Sequence, residues 1–130
     1  MHYTLLITAS LSNISAHRRA LMFADALLNE QHSIHTIFFY GEGAGIGLST
    51  RNVNFTPDQV NVNWCSISER GKTQLILCVS SALTQGIHDK ITSSQSKELS
   101  TNIAAGFETG GIGSLVDAVA NSDRLMSFGG

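Results

Sequence analysis

The chain is poor in cysteine, proline and charge, and each shortage excludes something. Its two cysteines, Cys65 and Cys78, are too few for a disulfide framework or a cysteine-rich zinc site, so a reducing cytoplasm is the expected compartment. Charged residues make up 14% of the 130 residues, with a formal net charge of −2 and no Lys/Arg cluster, which argues against direct contact with nucleic acid. No apolar run approaches the about 20 residues of a membrane-spanning helix. The segment Met1–Leu5 enters a strand pattern at once, without the basic start or cleavage site of a signal peptide. There is no repeat, linker or low-complexity tract, and the length suits a single domain over residues 1–130. A surface so short of charge fits one partly covered by partner subunits.

What is present centres on Gln74–Cys78 and the residues after it. A short apolar run ending in cysteine reads as a strand buried on both faces of a parallel sheet. In open α/β sheets, chemistry collects at the carboxyl ends of such strands. Ser80 or Ser81 is expected to cap a short helix that stops at Gly86. Cys78 then lies between a strand end and a helix start, where N–H groups favour a thiolate. The plainer reading, a small core hydrophobe, fits most buried cysteines.

Along the chain, Tyr3–Thr8 predicts a first strand. A helix to about Glu30 follows, with Ala20, Phe23, Ala24, Leu27 and Leu28 on its apolar face and His17, Arg18, Arg19 and Asp25 largely off it. Gln31 stands where glycine is usual, which predicts a left-handed residue. Ile34–Tyr40 is the second strand. The alternating glycines Gly41–Gly47 fit neither a dinucleotide fingerprint, which opens directly into a helix, nor a P-loop, which needs Gly-Lys-Ser/Thr; they predict a mobile polar loop, running on to Phe55, beside the active edge. Thr56, Pro57 and Gln59 form a capping box for a helix with Val60, Trp64 and Ile67 on one face, ended by Gly71. Ile87–Ser100 reads as a polar segment with a helical turn near Ser96–Leu99. A short fourth strand is expected over Thr101–Phe107, and then a helix with Ile112, Val116, Val119 and Ala120 on one face. Arg124–Phe128 closes the chain as a fifth strand. Alternating strands and helices imply a βαβ series with a mostly parallel five-stranded sheet covered on both faces.

Other chemistries find little support. His2, His17, His32, His35 and His88 show no metal-ligand spacing, so no metal or cofactor is expected. His88 is the nearest candidate base for a Cys–His pair with Cys78. Glu42, Asp89, Glu98, Glu108 and Asp117 are scattered and read as solvated surface. Cys65 has neither a neighbouring base nor a second cysteine and reads as incidental. A lone cysteine without base, metal or cofactor suits persulfide carriage, in which a thiolate attacks a sulfur–sulfur bond and the substrate is another protein's thiol.

The chain resembles the DsrE/TusD family of sulfur-transfer subunits, and most of all its TusD branch. The resemblance rests on Ile37–Tyr40, Trp64, Leu77-Cys78-Val79 with Ala82, Leu83 and Gly86, then Gly106-Phe107, Gly110–Gly113, Leu115, and Asp123-Arg124. It implies a three-layer α/β/α fold with Cys78 as the persulfide carrier. Ser80 and Ser81 are its expected anion-stabilising neighbours. It further implies a heterohexamer, a dimer of heterotrimers with TusB-like and TusC-like subunits, fed by a TusA-like donor and emptied by a TusE-like acceptor. The sulfur would end in the 2-thiouridine of wobble-position tRNA, or serve sulfur oxidation in the DsrE branch. Relatives often carry a Gly-Val-x-Asn-Ala-like stretch after the second strand, where this chain has Glu42–Gly47, so partner choice is expected to differ if that loop borders Cys78. The rival readings are a non-catalytic assembly subunit and a small-molecule binder using the Gly41–Gly47 loop.

Overall fold

The computed structural model describes residues 1–48, 60–87 and 102–129. The expected capping box at Thr56–Gln59 and helical turn at Ser96–Leu99, with His88, Asp89 and Glu98, lie outside these residues. Five strands form one sheet: β1 (His2–Ile7), β2 (Ser33–Phe39), β3 (Gln74–Cys78), β4 (Phe107–Gly110) and β5 (Arg124–Phe128), in the order β4-β3-β2-β1-β5. Every pairing is parallel, so the sheet is more uniform than expected. Parallel neighbours need crossovers, which the helices supply.

Alternation along the strands sorts the two faces. Leu5, Ile7, Ile37, Phe39, Leu75, Leu77 and Phe107 pack beneath helices α1 (Ile14–Asn29) and α2 (Val60–Gly71), through Ala20, Ala24 and Leu27 on the first and Val60, Trp64 and Ile67 on the second. The opposite face is thinner. There Phe38, Ile76 and Cys78 form a smaller cluster against Leu6 and against Leu115 of α4 (Ile112–Ala120). Gln31 has φ +66°, as its place after α1 predicts. Helix α2 ends at Gly71 as expected, and Lys72 after it has φ +51°.

Four expectations need correction. Thr101–Phe107 is not the fourth strand: Ile103 makes an isolated antiparallel bridge to Leu48, and the strand begins only at Phe107, where pairing with Leu75 starts. The helix face of Ile112, Val116 and Val119 points outward, with Ile112 55% and Val116 62% exposed; Ala118 is the buried residue of α4. The 3.6-residue period was legible, but not which stripe meets the sheet. Gly41–Gly47 is not an open polar loop: it winds into 3-10 turns with Gly43 through Gly47 buried, and the expected continuation over 49–55 lies outside the described residues.

His17 is the fourth. It is fully buried, although its place on the helical wheel put it off the apolar face. Its Nδ1 accepts from Trp64 Nε1–H at 3.2 Å, so Nε2 carries the proton and donates to the Ala9 carbonyl at 3.0 Å. Burial lowers its pKa, and the Ala9 and Ser10 carbonyls raise it without prevailing. The unfolded chain, titrating near the ordinary histidine value of about 6.5, therefore takes up a proton that the folded chain resists. Stability from this group is full above that pH and declines as the pH falls below it toward the lower folded-state value. Urea melts from pH 7.5 to 5 should show this decline as a falling midpoint. In His17→Leu that component should vanish, with about 1–3 kcal/mol lost at pH 7.5 because the Trp64 N–H is orphaned. An unchanged slope in the variant would refute the assignment.

Candidate functional site

Strand β3, second from one edge of the sheet, is apolar because both its faces are covered, and it delivers Cys78 to the carboxyl end of the sheet, in register with Gly110 of β4. The chain turns there without a loop. Helix α3 (Val79–Thr84) begins at the next residue, so Cys78 is itself the N-cap. The expected cap from Ser80 or Ser81 is thus corrected: they occupy the second and third helical positions, where their amides and hydroxyls face back toward the sulfur. The helix stops as predicted at Gly86, with the Gly86 amide donating to Leu83 O at 3.0 Å and the Ile87 amide to Ala82 O at 2.8 Å. This is a Schellman pattern, closed by the buried pair Ala82 and Ile87.

The sulfur sits in a polar cradle on a covered site. Cys78 is 2% exposed, and its Sγ lies 3.4 Å from Ser80 Oγ. Burial is the largest single influence on the thiol and pushes its pKa up. The hydroxyls of Ser80 and Ser81 together with their backbone amides outweigh it and hold the thiol below its ordinary value. The amides act at a distance rather than through a full capping hydrogen bond. Among the described residues no charged side chain contributes, so there the thiolate is favoured by dipoles.

Cys65 is the opposite case. It is half-buried on α2, its thiol donating to Ala105 O at 3.5 Å. Burial, then Glu69, push its pKa up. The two thiols were distinguishable by position in sequence, but the sign of each shift required the structure.

The Gly41–Gly47 segment borders this site, as its position after β2 suggested. The Gly41 amide donates to Ser81 Oγ at 2.9 Å, a contact that no residue type announces. A recess of about 330 Å³ nearby is lined by Ser10, Leu11, Ser12, Glu42 and Gln85. His2 and His35 line a separate recess where β1, β2 and β3 begin, so neither joins Cys78. Among the described residues, no group of three or more His, Cys, Asp or Glu is placed to hold a metal ion. No helix among them is long and apolar enough to cross a membrane.

Comparison with known proteins agrees with this geometry. The model of the DsrE/DsrF-like family matches residues 1–128. A "Sulfurtransferase TusD homolog" of Vibrio cholerae is 34% identical over 128 residues, covering 97% of this chain and 96% of its own. "Sulfurtransferase TusD" of Salmonella typhi is 33% identical over 129 residues, covering 98% and 100%. A Vibrio vulnificus homolog is 30% identical over 128 residues, with 98% of each chain covered. Among solved structures, the ychN protein of E. coli superposes with a TM-score of 0.64 over 98% of this chain and 100% of its own, at 16% identity, which speaks to fold alone. The chain belongs to the DsrE/DsrF-like family, the family of the TusD sulfurtransferases.

Proposed function

We propose that this chain is a sulfurtransferase subunit that carries sulfur as a persulfide on Cys78. The observation that carries the reading is the thiol at the carboxyl end of β3, N-cap of α3 and 3.4 Å from the Ser80 hydroxyl, held below its ordinary pKa by Ser80 and Ser81. In the first step, the Cys78 thiolate attacks the outer sulfur of a donor protein's persulfide. The donor's S–S bond breaks, its cysteine leaves with the electron pair as a thiolate, and a new S–S bond forms at Cys78. No net oxidation occurs, and the proton on the outer sulfur travels with it. In the second step, an acceptor thiolate attacks that outer sulfur and restores Cys78. Because the sulfur is nearly covered, each step requires a local opening that a docked partner would stabilise.

The partners proposed are a TusA-like donor, a TusE-like acceptor, and TusB-like and TusC-like subunits in a heterohexamer, with 2-thiouridine at the tRNA wobble position as the destination and the cytoplasm as the compartment. The outward apolar residues Ile112 and Val116, and Leu125 at 43% exposure on edge strand β5, support burial against another subunit. A DsrE-type role in sulfur oxidation would use the same first step and differ only in where the sulfur goes.

Intact-protein mass spectrometry after incubation with a cysteine desulfurase and a TusA-like carrier tests the reading. A gain of one sulfur atom, removed by reductant, is expected. No gain on this chain alone or with TusB-like and TusC-like subunits present would overturn it and leave the assembly-subunit reading in the lead.

A further inference from the structure

We propose that the recess at the end of α3 receives a basic side chain, lysine or arginine, of the protein that brings sulfur to Cys78, with Glu42 as its counter-charge. The inference rests on the sulfur-carrier reading above and names the feature by which the donor is recognised. It also gives a task to the segment after β2, where this chain departs from the pattern expected of its relatives.

Recess and sulfur belong to one surface. Helix α3 has Cys78 as its N-cap and Gln85 as its C-cap, which sets the two about 10 Å apart at 1.5 Å per residue. Gln85 lines the recess with Ser10, Leu11, Ser12 and Glu42. Strands β1 and β2 end at Ile7 and Phe39 and run parallel to β3, so Ser10–Ser12 and Glu42 emerge at the same end of the sheet as Cys78. A docked protein covers about 800 Å² of its partner, enough to take in both. The lining suits a long cation. Among the described residues it holds one charge, the Glu42 carboxylate; the Ser10 and Ser12 hydroxyls, 2.6 Å apart, share one hydrogen bond and keep further lone pairs. Leu11, only 7% exposed, supplies an apolar wall. Acceptor oxygens beside such a wall match a side chain with a methylene stem and a cationic head. A recess of about 330 Å³ stands at the small end of ligand pockets, with room for one such side chain. One carboxylate is too few for a divalent ion. No ion pair among the described residues engages Glu42; Arg70 and Asp25 form theirs between α2 and α1. The backbone around Glu42 is fixed on both sides, by the Gly41 amide on Ser81 Oγ at 2.9 Å and the Gly43 amide on Tyr40 O at 3.1 Å. The occupant is the donor's side chain because Cys78 is here a free thiol, the state that a donor meets, whereas an acceptor meets the persulfide.

The test follows sulfur transfer from a persulfidated TusA-like carrier, at limiting carrier and over a range of salt, in a Cys65→Ser background. At about 50 mM salt, Glu42→Gln should slow transfer roughly threefold and Glu42→Arg roughly tenfold, since a charge at an interface rim acts mainly on encounter. The differences should vanish near 1 M salt, where the screening length falls to about 3 Å. Alkylation of Cys78 by iodoacetamide, a neutral reagent with no use for the recess, should stay close to the wild-type rate in both variants. Among single reversals of the carrier's basic residues to glutamate, one should restore transfer to Glu42→Arg. Equal rates at low salt, a loss that salt leaves unchanged, a matching loss of alkylation, or failure of every reversal would overturn the proposal. Binding of a carrier whose cysteine is replaced by serine, read by fluorescence anisotropy, involves no sulfur transfer. A wild-type chain that never accepts sulfur would defeat the sulfurtransferase reading, while weaker binding by Glu42→Arg would still uphold the recess. A carrier that does not bind the wild-type chain, alone or with TusB-like and TusC-like subunits, would overturn the recess.

Discussion

Cys78→Ser is expected to abolish sulfur acceptance completely while leaving the fold and its assembly intact. A serine hydroxyl is not ionised near neutral pH and cannot form the S–S bond on which the relay depends. It is close in size to the thiol and can keep the hydrogen bond to Ser80, so the stability change should stay within about 1 kcal/mol. Two readouts check this together: mass spectrometry for sulfur on the protein, and 2-thiouridine in the tRNA of cells that carry only the variant. Normal thiolation in those cells would mean that Cys78 is a core residue. Cys65→Ser is the control and should be nearly silent, because its thiol is pushed away from ionisation. A matching loss there would transfer the role to the other cysteine.

The largest loss of stability from a single methyl group is expected at Gly43→Ala. A Cβ at Gly43 would lie 2.4 Å from the carbonyl oxygen of Ile7 and 3.1 Å from its carbon. These are backbone atoms at the end of β1, and that oxygen already accepts the Tyr40 amide at 2.9 Å, so neither side can rotate out of the way. Overpacking of this kind costs typically about 1–3 kcal/mol and occasionally more. With backbone on both sides, roughly 3 kcal/mol or above is the expectation, or about 10 °C in thermal midpoint for a domain of this size. Gly41→Ala supplies the contrast: it meets no atom but must hold φ +61°, which costs about 1–2 kcal/mol. Equal losses at the two positions would show that the Gly43 segment yields, and the close packing against β1 would be refuted.

The sheet was legible because its strands obey simple rules. Leu5, Ile37, Leu75 and their neighbours alternate or run continuously as a doubly covered parallel sheet requires, and Gly86 ends α3 where a left-handed residue is needed. The position of Cys78 was legible for the same reason, since a strand of known direction has a known carboxyl end. What resisted reading depends on partners distant in sequence. His17 is polar on a helical wheel, and only Trp64, 47 residues away, makes its burial affordable. The glycines of residues 41–47 suggested looseness, yet their small size is what lets the segment press against Ile7 and Leu77. The stripe on α4 had the right period, but period alone does not say whether a helix turns its apolar face to its own sheet or away from it.

That outward stripe lies apart from the thiol, so the two tasks proposed for this chain, docking and sulfur carriage, would use different atoms. The thiol lies at the end of β3, cradled by α3, whereas Ile112 and Val116 face away from the sheet on a helix whose inward residues, Leu115 and Ala118, hold it in place. Changing Cys78 alters none of the atoms on the stripe. A gene copy that lost the cysteine would still encode a protein with the same outer surface, free to occupy a neighbouring place in an assembly while another subunit did the chemistry. An architecture of this kind lets duplicated chains drift into scaffolding roles one substitution at a time, without passing through an intermediate unable to assemble.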